Sequence, residues 1–498
     1  MTMTGRITAA PSRVWHEEVL APQFAHEVEH LLRHYVAIEK VLLLEYVRMG
    51  VADAADAAAV ARRLNLLRGG DLLADPAANM SDISFAIERF VGAGPAPPFA
   101  AWHVDRSRND LQACAQLMAV RERLFAVADD LAALGRAALR AARTAADLPM
   151  PGFTHAQAAQ IVSPGFYLTA LAEETLATAQ RLASTWEDCF ACPLGAGSMA
   201  GQELPWDRTL MAHRLGFAKA VPHALTAVAS RRWALAVASD LAGYAVTLSR
   251  FVTDLMAWGG SEYGFLDLPD ELSGISAAMP QKRNFPVLER IRGRCSQVAG
   301  AMFDLASGQR NTAYTNTVEV SKEAGSRLWA EIDALRSSLR LATTVLENLG
   351  FHAERMRESC EREYLGGFSL ANLLTLECGL PWRTAQIVAG RAIKRAVEAG
   401  VPSSEIEPGF LVEAAAEEGH RVPDAARLLA AAFSVDAGLR AKRSSGSTHP
   451  DAVLAMAAEQ EAGFEAVEER WRRLRTGVEA AIAQIDVHFE EQEPRHAP

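Results

Sequence analysis

Four polar segments of the chain carry the side chains that could bind or transform a small molecule. The first is residues 103–110, HVDRSRND, in which Ser107, Arg108 and Asn109 offer a hydroxyl, a guanidinium and an amide side by side. A long apolar run at helical spacing follows, and the free backbone N–H groups of a helix N-terminus favour an anion there. The segment therefore predicts a site for a carboxylate, although a helix cap with solvated charges would use the same residues.

The second segment, MPGFTHAQ at residues 150–157, places Thr154 and His155 after a Pro-Gly turn. Threonine supplies a hydroxyl donor, and a histidine side chain titrates near neutral pH, as proton transfer requires. A core histidine with satisfied hydrogen bonds is the alternative interpretation of His155. The pair is a candidate for proton handling.

The third segment, PLGAGSMAG at residues 193–201, is rich in glycine, which lets a backbone approach a ligand closely. No lysine follows at the spacing of a nucleotide phosphate loop, so a site of that class is not expected. A turn that serves packing alone is the alternative to a ligand loop.

The fourth segment, SGISAAMPQKRN at residues 273–284, is the most specific of the four. Lys282 supplies a charge, Asn284 supplies hydrogen-bond donors, and Glu289 follows in the next predicted helix. A loop with these donors could become ordered over a dicarboxylate and stabilise the negative charge that develops in a reaction.

Long helices are the elements that must position these segments. The apolar residues between Leu117 and Ala138 recur at alternating steps of three and four, the spacing of a helix packed in a left-handed bundle. The same spacing recurs from Leu288 to Leu305 and from Leu328 to Leu349. Alternating strand patterns are scarce, and alanine and leucine dominate, so the sequence predicts an all-α fold.

Clusters of glycine and proline divide this fold into three predicted helical domains. The two breakers are GPAPP at residues 94–98 and YLGG at residues 364–367. We predict an N-terminal helical domain over residues 1–110, a central long-helix bundle over 111–358 and a C-terminal helical cap domain over 359–498. Short helices are expected between residues 400 and 450.

Composition limits the class of protein and partner. Of 498 residues 50% are hydrophobic and 22% charged, and a net charge of −11 is typical of a soluble globular protein that repels nucleic acid and anionic lipid. The longest charge-free run, residues 156–172, is too short to span a bilayer, so we expect no membrane segment. Six scattered cysteines and a start without a signal-peptide core favour a reducing, cytoplasmic setting. Cys189 and Cys192 lack a second ligand pair, so we expect no metal.

The order and spacing of the four segments resemble the fumarase and aspartase superfamily, and within it the argininosuccinate lyase family. The superfamily signature is G-S-S-x-M-P-x-K-x-N-x-x-x-x-E, and RSRND, MPGFTHAQ and PLGAG..AG......DR are similar to motifs of the lyase family in the same order. The similarity runs from about residue 85 to 485. It implies an all-α bundle, no cofactor, a homotetramer with active sites shared between subunits, and elimination of an amine from an N-substituted L-aspartate to give fumarate.

The resemblance also implies a role for each matching residue. Ser276, six residues before Lys282, stands where the family has its catalytic serine and is the candidate general base for the Cβ proton. His155 and Glu289 match a proton-handling pair. The residues that would hold the carboxylates of the fumarate portion are Ser107, Arg108, Asn109, Thr154, Lys282 and Asn284.

Several positions depart from the family pattern. Ile275 and Ala277 stand where the signature has glycine and a second serine, which leaves the position of the base filled. Glu319 replaces the glutamine of Y-x-x-x-x-Q-x-x-K, whose Tyr314 and Lys322 are retained, and an added negative charge favours a cationic amine. Further departures are Asp105 for a glycine, Ala229 and Ser230 for Ser-Asp, and His223 for an asparagine. The fumarate side is retained and the amine side differs.

Alternatives remain for the substrate and for the class of protein. The substrate is either argininosuccinate or a related compound such as the diamine-linked ethylenediamine-disuccinate. A crystallin-like structural homologue is the non-enzyme alternative, and the retention of the residues proposed for catalysis argues against it. An adenylosuccinate-type lyase would require a phosphate pocket, which the sequence does not offer.

Overall fold

Most of the molecule is helical, as the sequence predicts. The computed structural model describes residues 5–7, 9–95 and 97–492. Parts of the N-terminal stretch (residues 1–4 and 8), Ala96 of the first breaker and residues 493–498 lie outside the described residues.

The N-terminal region contains four helices in the described residues. They are α1 (Arg13–Trp15), α2 (Ala21–Arg48), α3 (Ala54–Leu66) and α4 (Ile83–Gly92). Of these, α2 is the one that packs along α5 (Arg108–Thr144) of the central bundle. A π-helical turn, His16–Leu20, joins α1 to α2. Asp82 begins α4 because its carboxylate accepts hydrogen bonds from the backbone N–H groups of Ser84 (3.0 Å) and Phe85 (3.4 Å).

The central region contains the helices of the bundle and all of the strands in the described part of the chain. In chain order it runs α5 (Arg108–Thr144), β1 (Met150–Thr154), β2 (Gln157–Val162), α6 (Pro164–Cys189), α7 (Arg208–Arg214), α8 (Ala224–Ala229), α9 (Arg232–Trp258), β3 (Leu266–Asp267), β4 (Gly274–Ile275), β5 (Arg283–Asn284), α10 (Pro286–Gln309), α11 (Leu328–Glu347), β6 (Gly350–Phe351) and α12 (Ala353–Arg362). The strands form three antiparallel pairs, β1 with β2, β3 with β6 and β4 with β5. The three periodic segments lie in α5, α10 and α11.

The C-terminal region is helical, with short helices between residues 400 and 450 as expected. It consists of α13 (Gly367–Cys378), α14 (Trp382–Ala399), α15 (Pro408–Glu417), α16 (Ala425–Phe433), α17 (Val435–Arg440) and α18 (Pro450–Gln492). Buried residues from Leu370 to Phe433 form a hydrophobic core of their own. The last helix, α18, instead returns to the bundle, where Phe464 and Trp471 join the main core. Gly135 of α5 makes room for this contact, since a Cβ there would lie 1.9 Å from the Phe464 ring.

The predicted domain limits fall inside helices. The limit at 110/111 lies in the first turn of α5, and the limit at 358/359 lies within α12. The division into three domains remains a prediction.

Ion pairs between helices define their directions in the bundle. Arg123 and Arg140 of α5 pair with Asp333 and Glu347 of α11, at 2.9 and 2.7 Å, so these two helices are parallel. By contrast α6 and α9 are antiparallel, because Arg181 bonds Asp240 at 2.8 Å while Tyr167 bonds Asp254. At a rise of about 1.5 Å per residue, the 37 residues of α5 span about 55 Å.

The bundle therefore has two ends, which we name after their candidate residues. The Ser107 end holds the start of α5, the 193–201 loop and residues 310–327, which follow α10; Gln116 of α5 donates to the Ser321 carbonyl there at 2.8 Å. The Ser276 end holds the β1–β2 hairpin and the connection from α9 to α10. Phe153 of the hairpin contacts Tyr263 of that connection, with ring centroids 5.5 Å apart.

Helix α9 is the one helix in the described ranges that is long and apolar enough to cross a membrane. Half of its most apolar window is buried inside the molecule, where Leu241, Leu248 and Val252 belong to the main core. This burial is what a core helix of the bundle requires.

Candidate active site

At the Ser107 end, the SRN motif forms the first turn of α5. The hydroxyl of Ser107 caps the helix by accepting a hydrogen bond from the backbone N–H of Asn109 at 3.2 Å. The side-chain amide of Asn109 donates to the carbonyl of Ser198 in the glycine-rich loop at 3.0 Å. The capping interpretation is thus correct for Ser107, and it leaves the anion-binding character of the helix N-terminus in place.

Arg108 is oriented by the first turn of α4. Its Nη1 donates to Asp82 Oδ2 at 2.7 Å, and its guanidinium lies 4.8 Å from the centre of the Phe85 ring. The side chain is nevertheless 57% exposed, so a ligand carboxylate can reach it.

The glycine-rich loop is held by a buried carboxylate on α5. Asp110 Oδ2 accepts hydrogen bonds from the backbone N–H groups of Gly195 (2.9 Å) and Gly197 (3.0 Å). Burial raises the pKa of Asp110 to about 6 even though these N–H groups favour the charged form. Both glycines have positive φ angles, 81° and 62°, which favour glycine. The loop is therefore a structural turn that supports the start of α5.

Asp105, a departure from the family pattern, also has a structural role. Its φ of 56° lies in the left-handed region, a conformation that favours glycine. Its carboxylate accepts hydrogen bonds from the backbone N–H groups of Glu203 (3.1 Å) and Leu204 (2.8 Å) and from Trp206 Nε1 (2.9 Å). Although burial opposes it, these donors hold the pKa of Asp105 below its usual value.

A cavity of about 410 Å³ lies next to the SRN motif. Gln112 and Gln116, one and two turns after Arg108 on α5, line it. So does Lys322, whose Nζ is 3.2 Å from Glu27 Oε1. Burial raises the pKa of Glu27, and Lys322 opposes that effect.

Tyr314 and Glu319 lie near this cavity in sequence but are not part of its wall. Tyr314 is 62% exposed, and Glu319 is exposed at the start of a π-helical turn, Glu319–Glu323. The backbone and the Thr317 hydroxyl lower the pKa of Glu319. The contact of Glu319 with the amine remains a prediction.

Sequence reasoning missed two residues that line the cavity, Glu27 and Arg231. Glu27 lies between the buried residues Phe24 and Leu31 on one face of α2, and a charge on an apolar face is the signal that could have identified it. Arg231 directly follows Ser230, where the chain departs from the family pattern. The departure at Ser230 therefore lies next to a residue of the cavity wall.

At the Ser276 end, Thr154 and His155 lie at the tip of the β1–β2 hairpin. The expected Pro-Gly turn is wrong, because Pro151 and Gly152 lie within β1 and the chain reverses at His155 and Ala156. Both turn residues have positive φ angles, 53° and 59°, as the right-handed twist of a tight hairpin requires. The side chains of Thr154 and His155 are exposed, so the core-histidine interpretation is wrong.

The signature loop projects from the same end as a short hairpin. Strands β4 and β5 form its base, and Arg283 anchors it through ion pairs with Asp267 (2.5 Å) and Asp270 (3.1 Å). At the tip, the hydroxyl of Ser276 accepts a hydrogen bond from the backbone N–H of Met279 at 3.1 Å. Ile275 is 94% exposed, so the loop is open to solvent.

Three candidate residues of this end, Lys282, Asn284 and Glu289, are accessible to a ligand. Lys282 and Glu289 are exposed, and Asn284 makes only a long contact, 3.4 Å, with the carbonyl of Gly274. Among the described residues, no hydrogen bond or ion pair joins His155 to Glu289. Within one chain, the proposed proton-handling pair is therefore not assembled.

The two ends are too far apart to form one site in a single chain. Helix α10 separates the signature loop from residues 310–327, and its 24 residues span about 36 Å. The sequence-predicted residues thus form one group with Ser107, Arg108, Asn109 and Lys322, and another with Thr154, His155, Ser276 and Glu289.

Comparison with known proteins gives consistent matches in sequence. A family model described as lyase matches residues 83–300. Argininosuccinate lyase from Thermus thermophilus is 34% identical over 75% of this chain and 79% of its own length. Argininosuccinate lyase from Maricaulis maris is 32% identical over 72% and 76%.

Solved structures share the fold along most of the chain. A variant of EDDS lyase with bound fumarate superposes with a TM-score of 0.84 at 22% identity, covering 100% of this chain and 99% of that one. A class II fumarase from Schistosoma mansoni gives a TM-score of 0.68 at 14% identity, covering 83% and 94%. At these identities the comparison establishes the fold alone.

Proposed function

The chain belongs to the argininosuccinate lyase family of the fumarase and aspartase superfamily, and from this premise we propose how its residues perform the reaction. It is a carbon–nitrogen lyase that eliminates an amine from an N-substituted L-aspartate and releases fumarate. The bond between Cα and nitrogen breaks, a proton leaves Cβ, and the amine departs with a proton of its own. The chain must therefore supply a base, a stabiliser for negative charge and a proton donor.

The Cβ proton is weakly acidic, because its removal places a second negative charge on the neighbouring carboxylate. We assign Ser276 as the base that takes this proton and Lys282 as the cation that stabilises the added charge. Arg108, Asn109 and the N–H groups at the start of α5 hold the opposite carboxylate. The proton donor to the leaving nitrogen stays open between His155, supported by Glu289, and solvent.

One contrast between the side chains carries this assignment. Some polar residues of the site use their hydrogen bonds and ion pairs within the protein: Asp105 and Asp110 bind loop N–H groups, and Arg283 anchors the signature loop. Lys282 and His155 have exposed side chains without protein partners in the described ranges. Polar side chains that the fold does not use are available to a substrate.

The complete site requires more than one copy of the chain. An N-substituted aspartate is far shorter than the 36 Å that α10 places between the two ends. We propose a homotetramer in which the Ser107 end of one copy faces the Ser276 end of another, as isologous contacts between antiparallel helices allow. His155 and Glu289 both lie at the Ser276 end, so they would meet only where the Ser276 ends of two different copies come together at the same site. We place the enzyme in the cytoplasm, in line with its sparse cysteines.

Release of fumarate from a defined substrate tests the proposal. Argininosuccinate and ethylenediamine-disuccinate are each incubated with the protein, and fumarate is followed by its ultraviolet absorbance. We expect turnover of argininosuccinate or of a related N-substituted aspartate. A folded tetramer that releases fumarate from neither compound nor from any other aspartate adduct would favour the crystallin-like alternative.

A further inference from the structure

Helix α4 contacts the entry to α5 at two places. At the start of α4, Asp82 pairs with Arg108 at 2.7 Å. Six residues later, Glu88 Oε1 lies 3.4 Å from Nδ1 of His103, in the segment that leads into the SRN motif. The two acidic residues are therefore about 9 Å apart along the helix axis. One helix thus contacts both the arginine that we assign to a substrate carboxylate and the backbone that precedes it.

The segment that leads into the SRN motif has an unfavourable backbone conformation. His103 and Asp105 have φ angles of 78° and 56°, in the left-handed region that residues other than glycine seldom adopt. Such a conformation persists only where the surrounding structure imposes it. Each contact that holds residues 103–106 therefore contributes to the position of the SRN motif.

Two contacts with α2 hold this segment and are shielded from water. The Tyr46 hydroxyl donates to the Val104 carbonyl at 2.7 Å. Arg106 pairs with both carboxylate oxygens of Glu39, and only 4% and 3% of these two side chains are exposed. Although burial opposes it, Arg106 holds the pKa of Glu39 below its usual value, so this ion pair is formed throughout the neutral pH range.

The contact between Glu88 and His103 differs, because its protonation changes near neutral pH. The two side chains are 30% and 23% exposed, so water reaches them. Burial and the Glu39 carboxylate raise the pKa of Glu88 to about 7, while Arg106 opposes this effect. Burial and Arg106 lower the pKa of His103 to about 4, so the imidazole is neutral around pH 7. Glu88 is therefore the member of the pair that gains or loses a proton.

Ionisation of Glu88 adds a negative charge that its surroundings do not balance. The charged groups that face it form two ion pairs, Arg106 with Glu39 and Arg108 with Asp82. Helix α3 also packs against α4, and its Arg63 lies over the Phe90 ring, 4.2 Å from the ring centre. Arg89, the next residue of α4, is exposed. The two ion pairs cancel, so the ionised carboxyl group makes the entry to α5 more negative by one charge.

We infer that Glu88 is a positioning residue that couples the affinity of the SRN motif for a substrate carboxylate to pH. When its carboxyl group is protonated, the ion pairs around Arg108 are balanced and a substrate carboxylate binds there. When it is ionised, its charge repels that carboxylate, and its altered contact with His103 shifts the backbone before Arg108. The inference rests on the proposed function, because it concerns the carboxylate site of that function.

Coulomb's law sets the size of the effect. For two unit charges about 10 Å apart, an effective dielectric constant of about 20 to 40 predicts that affinity changes about 4- to 16-fold. Fumarate is the probe, since it is a dianion throughout the neutral range. Thermodynamic linkage requires that bound fumarate raise the proton affinity of Glu88 by the same factor.

Calorimetry of fumarate binding between about pH 6 and pH 8.5 tests the inference. The dissociation constant of the wild-type protein should rise with pH by the factor given above. Glu88→Gln keeps the size of the side chain and cannot ionise, so it should bind fumarate at every pH as tightly as the wild type does at pH 6. Glu29→Gln is the matched control, because it removes one acidic group from α2 whose side chain is 75% exposed. The control should keep the full pH dependence.

Either of two results would overturn the inference: a wild-type affinity that is independent of pH, or a Glu88→Gln protein with the pH dependence of the wild type. If Glu88→Gln does not fold, proton uptake decides. Binding heats in buffers of different ionisation enthalpy should show that the wild type takes up about 0.3 to 0.6 of a proton per site near pH 7.5. Glu88→Asp keeps a carboxyl group on a shorter side chain and should move the midpoint of this uptake. No uptake, or a midpoint that stays in place, contradicts the role of Glu88.

Fumarate binding requires no elimination, which separates this inference from the proposed function. If no aspartate adduct is turned over but Glu88 controls the pH dependence of fumarate affinity, the proposed function fails and the inference stands. If adducts are turned over and fumarate affinity does not depend on Glu88, the proposed function stands and the inference fails.

Discussion

Mixed tetramers built from two inactive variants should regain activity, because the candidate residues lie at opposite ends of each chain. Arg108→Met damages the Ser107 end and leaves the Ser276 end intact, whereas Ser276→Ala does the reverse. The two ends are separated by the length of α10, about 36 Å. A site that combines ends from two copies can therefore be wild type at both.

The expected recovery follows from random assembly. When equal amounts of the two variants assemble, half of the copies offer an intact Ser107 end and half offer an intact Ser276 end. About a quarter of the sites are then complete, which predicts about a quarter of the wild-type rate per site. The hairpin with His155 is wild type in both variants, so the fraction does not depend on which copy supplies it.

The assay uses coexpressed variants whose assembly is verified by native mass spectrometry, and it follows fumarate release. Arg108→Met combined with Asn109→Ala is the matched control, because both changes lie at the Ser107 end and no copy offers an intact one. The control should show no recovery. If the first mixture also gives no more activity than its separate variants, although mixed tetramers are present, each site is built within one chain and the reasoning is refuted.

Four further changes test single residues. Ser276→Ala should lower the rate by about 10² or more with the tetramer intact, as loss of a general base does, and wild-type turnover would remove Ser276 from the mechanism. Lys282→Met should raise KM for fumarate and lower kcat, because the lost charge faces a substrate that is more negative in the transition state; a change in melting temperature alone would make Lys282 structural. Glu319→Gln should shift the kcat/KM ratio of two aspartate adducts toward argininosuccinate by about 5- to 150-fold, and an unchanged ratio would place Glu319 outside the amine pocket. Glu331 is buried without a hydrogen-bond partner in the described ranges, and burial raises its pKa to about 8. Because the folded state resists ionisation of this carboxyl group, the protein loses stability as pH rises from about 4.5 to about 8, on the order of 5 kcal/mol in total. Glu331→Leu should therefore flatten the pH dependence of urea unfolding, and equal profiles would show that Glu331 has a partner in the assembly.

The fold was predictable because its helices are long and strongly periodic. The spacing from Leu117 to Ala138 identifies α5, and Leu288 and Leu328 begin similar patterns in α10 and α11. The short strands were not predicted, because β1 and β2 contain glycine, proline and alanine in place of alternating apolar residues. The packing of α18 in the main core depends on contacts between distant segments, which a local sequence pattern does not reveal.

The candidate site was predictable where several residues share a motif. The SRN turn and the signature loop occupy a helix start and a projecting hairpin, which their residues favour locally. Glu27 and Arg231 were missed, because each acquires its surroundings from segments distant in sequence. The role of Asp105 was also hidden, since its bonds to residues 203–206 depend on a turn formed by tertiary packing.

The most direct test of the central claim is to incubate the purified protein with fumarate and a panel of amines and to identify the products by mass. A carbon–nitrogen lyase working in reverse must form at least one adduct whose mass is the sum of fumarate and one amine. We predict such an adduct with the wild-type protein and a far slower one with Ser276→Ala. If the folded tetramer forms no adduct with any amine, or if Ser276→Ala forms it equally fast, the account of this site is contradicted.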